Sequence, residues 1–234
     1  MAEFFSNQLG QPLEWFGLEH IFLTIGFIGT VILLWIFAPR MGKSKYEKWF
    51  RYTIIVLGIL FEWKVFESRM LESSIFRMPL CAVALYSLMF SIAFKKEKIF
   101  QIGYFFAFGA ILSFLFYDTP WGLDRWNGWT FFGAHAVIAW LAVYGYRAMR
   151  FKLTKKDLLH AFIFLAIYAT ISGYAFLRFG GADELFLFNP PVDFLIALKD
   201  IHELLYLGLF SLFIVVMMLG MYLPIYIMQK RLTK

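Results

Sequence analysis

Seven stretches of mostly apolar residues, joined by short charged connections, constrain this chain more than any other feature of its sequence. They run Leu18–Phe37, Tyr52–Ser68, Ile75–Phe94, Ile99–Tyr117, Thr130–Tyr146, Leu158–Leu177 and Ile201–Met228. A helix of about 20 residues crosses the hydrocarbon core of a bilayer. Lipid offers no partner to a free backbone N–H or C=O, so each stretch is expected to be a transmembrane helix. None alternates as a barrel strand would. Composition removes the soluble alternative. Hydrophobic residues make up 61% and charged residues 16%, with 30 Phe, 12 Tyr and 8 Trp, against about 45–50% apolar and 25% charged in soluble domains. The expected fold class is all-α: one polytopic transmembrane helical bundle over residues 1–234, of about seven spans. The second stretch is the least regular, because Glu62, Lys64 and Glu67 interrupt it. Arg40 is the first basic residue and follows the first apolar run, so no signal peptide is expected.

Charge predicts the orientation. The first connection carries Arg40, Lys43, Lys45, Lys48 and Arg51, and the third carries Lys95, Lys96 and Lys98. The fifth carries Arg147, Arg150, Lys152, Lys155 and Lys156, and the tail Lys230, Arg231 and Lys234. These are 16 of the 22 Lys and Arg residues, and only Glu47, Glu97 and Asp157 share their side. Positive loops stay in the cytoplasm, which predicts an external N-terminus and a cytoplasmic tail. The net charge of +6 sits in these clusters, so no nucleic-acid partner is expected. Membrane lipids are the expected partners, and no protein partner is specified. The short inner loops hold no nucleotide-binding domain or phosphate-loop motif.

Ionisable residues inside apolar stretches cost about 2.5–3.5 kcal/mol at the bilayer centre and mark functional paths. Glu62 lies deep in the second stretch, with Lys64 on another face. His20 opens the first stretch, and His135 lies a few residues into the fifth. Cys81 shares a helix face with Arg77 at i,i+4, and His202 and Glu203 open the seventh. All lie in the outer half; His160, on the inner side, reads as interfacial. They are expected to converge on one outward-facing pocket. One chemistry that fits is nucleophilic, with Cys81 as thiolate, His135 as base and Glu62 as orienter. The alternative, a metal held by His20, His135, His202 and Cys81, lacks any i,i+4 ligand pair, so no metal or other cofactor is expected.

Two outer loops complete the candidate site. Residues 118–129, from Asp118 onward, are rich in turn formers and contain Trp121, Trp126 and Trp129, residue types that populate membrane interfaces. Residues 180–191 contain the run Leu185-Phe-Leu-Phe188, which can dip back as a lid and bring Asp183 and Glu184 over the pocket.

Several of these segments together resemble the YwaF-like family of bacterial integral membrane proteins. They are Phe16-Gly-Leu-Glu-His20, the acid Glu62, and Met78-Pro79-Leu80-Cys81-Ala82-Val83. Gly109-Ala110 with Asp118-Thr-Pro120, Phe131-Phe-Gly-Ala-His135, and the 183–191 loop complete the set. The resemblance implies a polytopic helical protein of a bacterial cytoplasmic membrane. A related eukaryotic family implies phospholipid acyl transfer through a Cys beside a helix-three His, with a second His on helix five. Here Cys81 stands where the family pattern has that His, and Val83 stands where it has the Cys; His135 matches its slot. Three functions are open at this level. The chain is a lipid-acting acyltransferase or hydrolase with Arg77 holding a phosphate, a proton- or ion-coupled binding or transport protein, or a non-catalytic partner subunit.

Overall fold

A computed structural model of the chain describes residues 3–6, 10–71, 78–117, 119–181, 183–190 and 193–232. Among them are nine helices and no strand: α1 (Leu18–Met41), α2 (Glu47–Leu71), α3 (Leu80–Phe94), α4 (Glu97–Phe106), α5 (Phe108–Leu115), α6 (Trp126–Arg147), α7 (Lys155–Phe179), α8 (Asp193–Ile201) and α9 (Glu203–Leu232). The helical fold follows the apolar pattern, with three local differences. α3 begins at Leu80, behind the extended Pro79, and not at Ile75; residues 72–77 lie outside the described residues. The fourth stretch divides into α4 and α5 at Ala107, where the N–H reaches back three residues to the Tyr104 carbonyl at 3.2 Å. α8, a short separate helix, precedes the last long one.

The chain runs back and forth between two ends. The basic connections meet at one of them. Gly42 lies against the Ala148 backbone, the Tyr144 hydroxyl donates to the Glu47 carbonyl at 3.3 Å, and Gln229 donates to the Leu153 carbonyl at 3.0 Å. At the opposite end the N-terminal segment is tied to the loop before α6. The Trp126 N–H donates to the Phe4 carbonyl at 2.7 Å, the Gln11 N–H to Asp124 at 3.2 Å, and the Tyr117 hydroxyl to the Leu13 carbonyl.

Among the described residues four segments are long and apolar enough to cross a membrane: α1, the α4–α5 pair, α7 and α9. α1 and α9 are little buried within the protein and present Ile25, Ile32, Leu212 and Val216 outward, as lipid-facing helices must. α6 is the hub. It packs against α1, α2, α3, α4 and α5, and most of its residues are buried. A helix shielded on so many sides does not need a continuous apolar surface, which is why Thr130 and His135 are tolerated inside it.

Close approach to the hub depends on small residues. A Cβ on Gly145 would stand 2.2 Å from the buried Phe100 ring, and one on Gly133 would stand 2.7 Å from the Phe61 ring. Gly145→Val is therefore expected to cost about 1–3 kcal/mol by overpacking. Gly26→Ala, where a Cβ meets nothing within 4 Å, is expected to leave stability unchanged or raise it by up to about 1 kcal/mol. Thermal unfolding of the detergent-solubilised variants measures both.

Candidate functional site

The most deeply placed acid is Glu62 of α2, only 7% exposed. Its position follows from a close contact one turn nearer the basic end. There Gly58 is approached by Met89 of α3 and Val137 of α6, with the Met89 sulfur 2.7 Å and Val137 Cγ1 3.2 Å from where its Cβ would be. Glu62 projects one turn further out, and the Tyr86 hydroxyl of α3 donates to its Oε1 at 2.7 Å. A hydroxyl supplied by a neighbouring helix lowers the cost of burying the carboxyl.

His20 is 3% exposed, and both of its ring nitrogens are engaged. The Phe16 N–H donates to Nδ1 at 3.1 Å, so the proton of the neutral ring sits on Nε2, which donates to the Phe114 carbonyl at 2.7 Å. Thr24 donates to the same carbonyl at 3.3 Å. Phe114 lies in the last turn of α5, whose terminal carbonyls lack helical partners. His20 therefore joins α1 to the end of α5, between the rings of Phe16 and Tyr117.

His135 differs. Its Nδ1–H donates to the Phe131 carbonyl one turn back, at 2.7 Å, and Nε2 keeps its lone pair with no hydrogen-bond partner among the described residues. The residue is 6% exposed. Gly133 and Val137 both face α2. His135 lies two residues from each, roughly 160–200° around the helix at 100° per residue. It therefore faces away from α2 and from Glu62. Cys81 is half-buried in the first turn of α3 and packs against the main core. No hydrogen bond joins Cys81 to His135. With Met89 and Val137 level beside Gly58, Cys81 stands roughly 9 Å further along the bundle axis than His135, at 1.5 Å per residue.

The remaining candidates serve the outer loops. Asp183 organises its own loop, accepting the Leu187, Phe188 and Asn189 N–H groups at 3.1, 2.6 and 2.7 Å. The Tyr206 hydroxyl of α9 donates to the Phe186 carbonyl and Lys199 of α8 to that of Phe188, which ties the loop down. The run from Leu185 to Phe188 does fold inward: Leu185 is buried, and the Phe188 ring stacks on Phe176 of α7. Glu184 is half-buried there, while His202 and Glu203 are exposed at the α8–α9 junction. Trp126 packs on Phe4, Phe5 and Phe61, and so belongs to the end cap more than to an outer belt. Arg77 and Asp118 lie outside the described residues. Among the described residues, His20, His135 and Asp183 share no hydrogen-bond partner with one another. Among the described residues no group of three metal-binding side chains forms.

Counting Arg51 only as a loop charge misses its role. It is 4% exposed, pairs with Glu47 at 2.9 Å, and donates to the Ile92 and Ala93 carbonyls at 3.3 and 3.0 Å. Those carbonyls end α3, and the Tyr144 hydroxyl also reaches Glu47. The i,i+4 spacing of Glu47 and Arg51 at the start of α2 is the signal that could have found it.

The fold and these buried polar contacts define a multi-pass helical membrane protein. A model of the TMEM164 family matches residues 15–228, and the chain belongs to that family. No curated protein and no solved structure matches the chain. The match identifies a membrane protein family over nearly the whole chain, which is the coarse content of the motif resemblance.

The Glu62–Tyr86 pair predicts a measurable asymmetry. Tyr86→Phe leaves the buried carboxyl without this donor and is expected to cost about 1–3 kcal/mol. Glu62→Gln keeps an acceptor for the hydroxyl and is expected to cost less. Melting temperatures of the two purified variants make the comparison.

Proposed function

We propose that this protein is a seven-span membrane enzyme that acts on acyl esters of membrane lipids from the external side, with His135 as general base. The observation that carries this reading is the state of His135. Its Nδ1–H is fixed on the Phe131 carbonyl, and its Nε2 lone pair is unpartnered within a largely buried site. That is the arrangement a base needs: one nitrogen oriented by a hydrogen bond, the other open to a proton. The motif around His135, which resembles a lipid acyl-transferring family, points the same way.

Cys81 is the candidate nucleophile of a two-step route, in which the thiol is acylated and then relieved by an acceptor. That route needs the roughly 9 Å axial offset between thiol and base to close. Direct transfer does not: an acceptor hydroxyl or water at Nε2 gives up its proton there as its oxygen bonds to the ester carbonyl carbon, and the departing glycerol oxygen takes that proton as the ester C–O bond breaks. The geometry favours direct transfer. Glu62 then acts as a positioning residue for α2 and α3 through Tyr86. His20, Asp183, Glu184, His202 and Glu203 shape the external end, with Arg77 and Asp118 assigned to substrate binding by their place in the sequence.

The orientation rests on charge, with the basic end in the cytoplasm and the N-terminus outside. Reporter fusions check it: one active only in the cytoplasm is expected to work when joined after residue 232 and to fail when joined before residue 3. The reverse pattern would invert the topology.

The chemistry is tested with the purified protein in lipid nanodiscs and a fluorescent acyl phospholipid, with and without a lysophospholipid acceptor. His135→Ala is expected to lower turnover by about 10²–10⁴-fold, the usual contribution of a general base. Cys81→Ala is expected to retain turnover. Loss of activity in Cys81→Ala, with an acylated thiol trapped in the wild type, would select the two-step route. Wild-type protein that turns over no lipid ester, or a His135→Ala variant as active as wild type, would refute the enzyme reading.

A further inference from the structure

We propose that a groove near the basic end, between α1, α6 and α9, binds an anionic phospholipid, with part of an acyl chain in the groove and the phosphate on Arg147. The cavity has a volume of about 220 Å³. Val31 and Trp35 of α1, Ala107 at the α4–α5 junction, Ala142 and Val143 of α6 and Met221 of α9 line it. Its walls are apolar apart from Tyr104, whose hydroxyl is committed to the Met221 carbonyl at 3.2 Å. Toward the opposite end it is closed by aromatic rings. Phe27 stacks on Phe114 at 3.9 Å, and Phe132 lies 5.3 Å from Phe114. Ala139 on the groove wall lies one turn from His135 along α6, but none of the observations on the groove involves the proposed catalysis.

Charge complementarity at the other mouth identifies the occupant. Arg147 lies one turn beyond Val143 on α6. Its guanidinium is 4.8 Å over the Trp35 ring, its Nε–H donates to the Trp35 carbonyl at 3.2 Å, and Nη1 reaches the Met228 sulfur at 3.8 Å. It therefore bridges α1 and α9, the two helices that flank the groove. All these partners are neutral, and no described carboxylate pairs with it. Nearby acids are engaged elsewhere: Glu47 by Arg51, and Asp157 by Thr154. A half-buried guanidinium with spare donors, beside an apolar slot at a basic membrane surface, is matched by an anionic headgroup with its chain attached. The eight helical rises from Phe27 to Trp35 cover about 12 Å, which suits part of one chain. A partner helix, about 10–12 Å across, is too thick for a slot of this volume.

The test uses full-length protein in detergent, titrated with phosphatidylglycerol or phosphatidylcholine of identical chains and read by native mass spectrometry. Wild type is expected to bind phosphatidylglycerol about fivefold more tightly, the preference that one basic residue near a membrane surface confers. Arg147→Gln is expected to abolish that preference and Arg147→Lys to retain most of it. Ala139→Leu, which fills the floor, and Ile32→Trp at the exposed rim are each expected to reduce binding of both lipids. Inorganic phosphate is the third arm: failure to compete at millimolar concentration supports a lipid, and full displacement would reassign Arg147 to a free anion. Equal binding of the two lipids by wild type, an unchanged preference in Arg147→Gln, or lipid binding indifferent to both groove variants would overturn the proposal. A stable dimer that covers the groove would do so too. If Arg147→Gln does not fold, the Arg147→Lys preference and the rim variant still decide.

Discussion

A helix end buried within a membrane protein leaves carbonyl groups that neither lipid nor water satisfies, and the protein must supply their donors. Two buried cross-helix contacts in this structure do that. Arg51 of α2 donates to the carbonyls that end α3. His20 and Thr24 of α1 donate to Phe114 at the end of α5. α3 has 15 residues and the α4–α5 run is broken at Ala107, so neither reaches across as one long uninterrupted helix. Removing these donors would leave buried acceptors without partners, at about 1–3 kcal/mol each. α2, α4 and α6 pack against α3, and α1, α6 and α9 against α5, so their packing depends on where these two short helices end.

The same contacts account for how the polar residues read in the sequence. Depth was legible: Glu62, His20 and His135 are buried, as a polar residue within an apolar stretch has to be. Partnership was not. A carboxyl, an imidazole and a thiol on different helices look alike whether they converge or turn apart, because helix rotation about the bundle axis depends on small contacts. Gly58 against Met89 and Val137, and Gly133 against Phe61, fix the rotation of α6 and send His135 away from Glu62. Those glycines carry no periodic signal.

The helical course of the chain was written in its apolar pattern, and the grouping of its basic connections at one end followed from their charge. Interruptions were harder to read. The break at Ala107 lies in an unbroken apolar run, without proline or charge to mark it. α8 falls between the 180–191 loop and the last apolar stretch, where no helix is expected; residues 185–188 of that loop fold inward, held by backbone bonds to Asp183 that composition does not reveal. Arg51 illustrates the opposite failure. One loop charge among several looks solvated until its carbonyl partners are seen.

The hub position of α6 has a consequence for how the chain is made. α1 and α9 are oily enough to rest alone in lipid, whereas α6 carries a buried histidine and threonine, with four alanines and three glycines among its aromatic and branched residues. Such a segment partitions poorly into lipid by itself and well into a cradle of protein. Stable insertion of α6 is therefore expected to depend on the five helices that precede it in the chain, all of which it packs against.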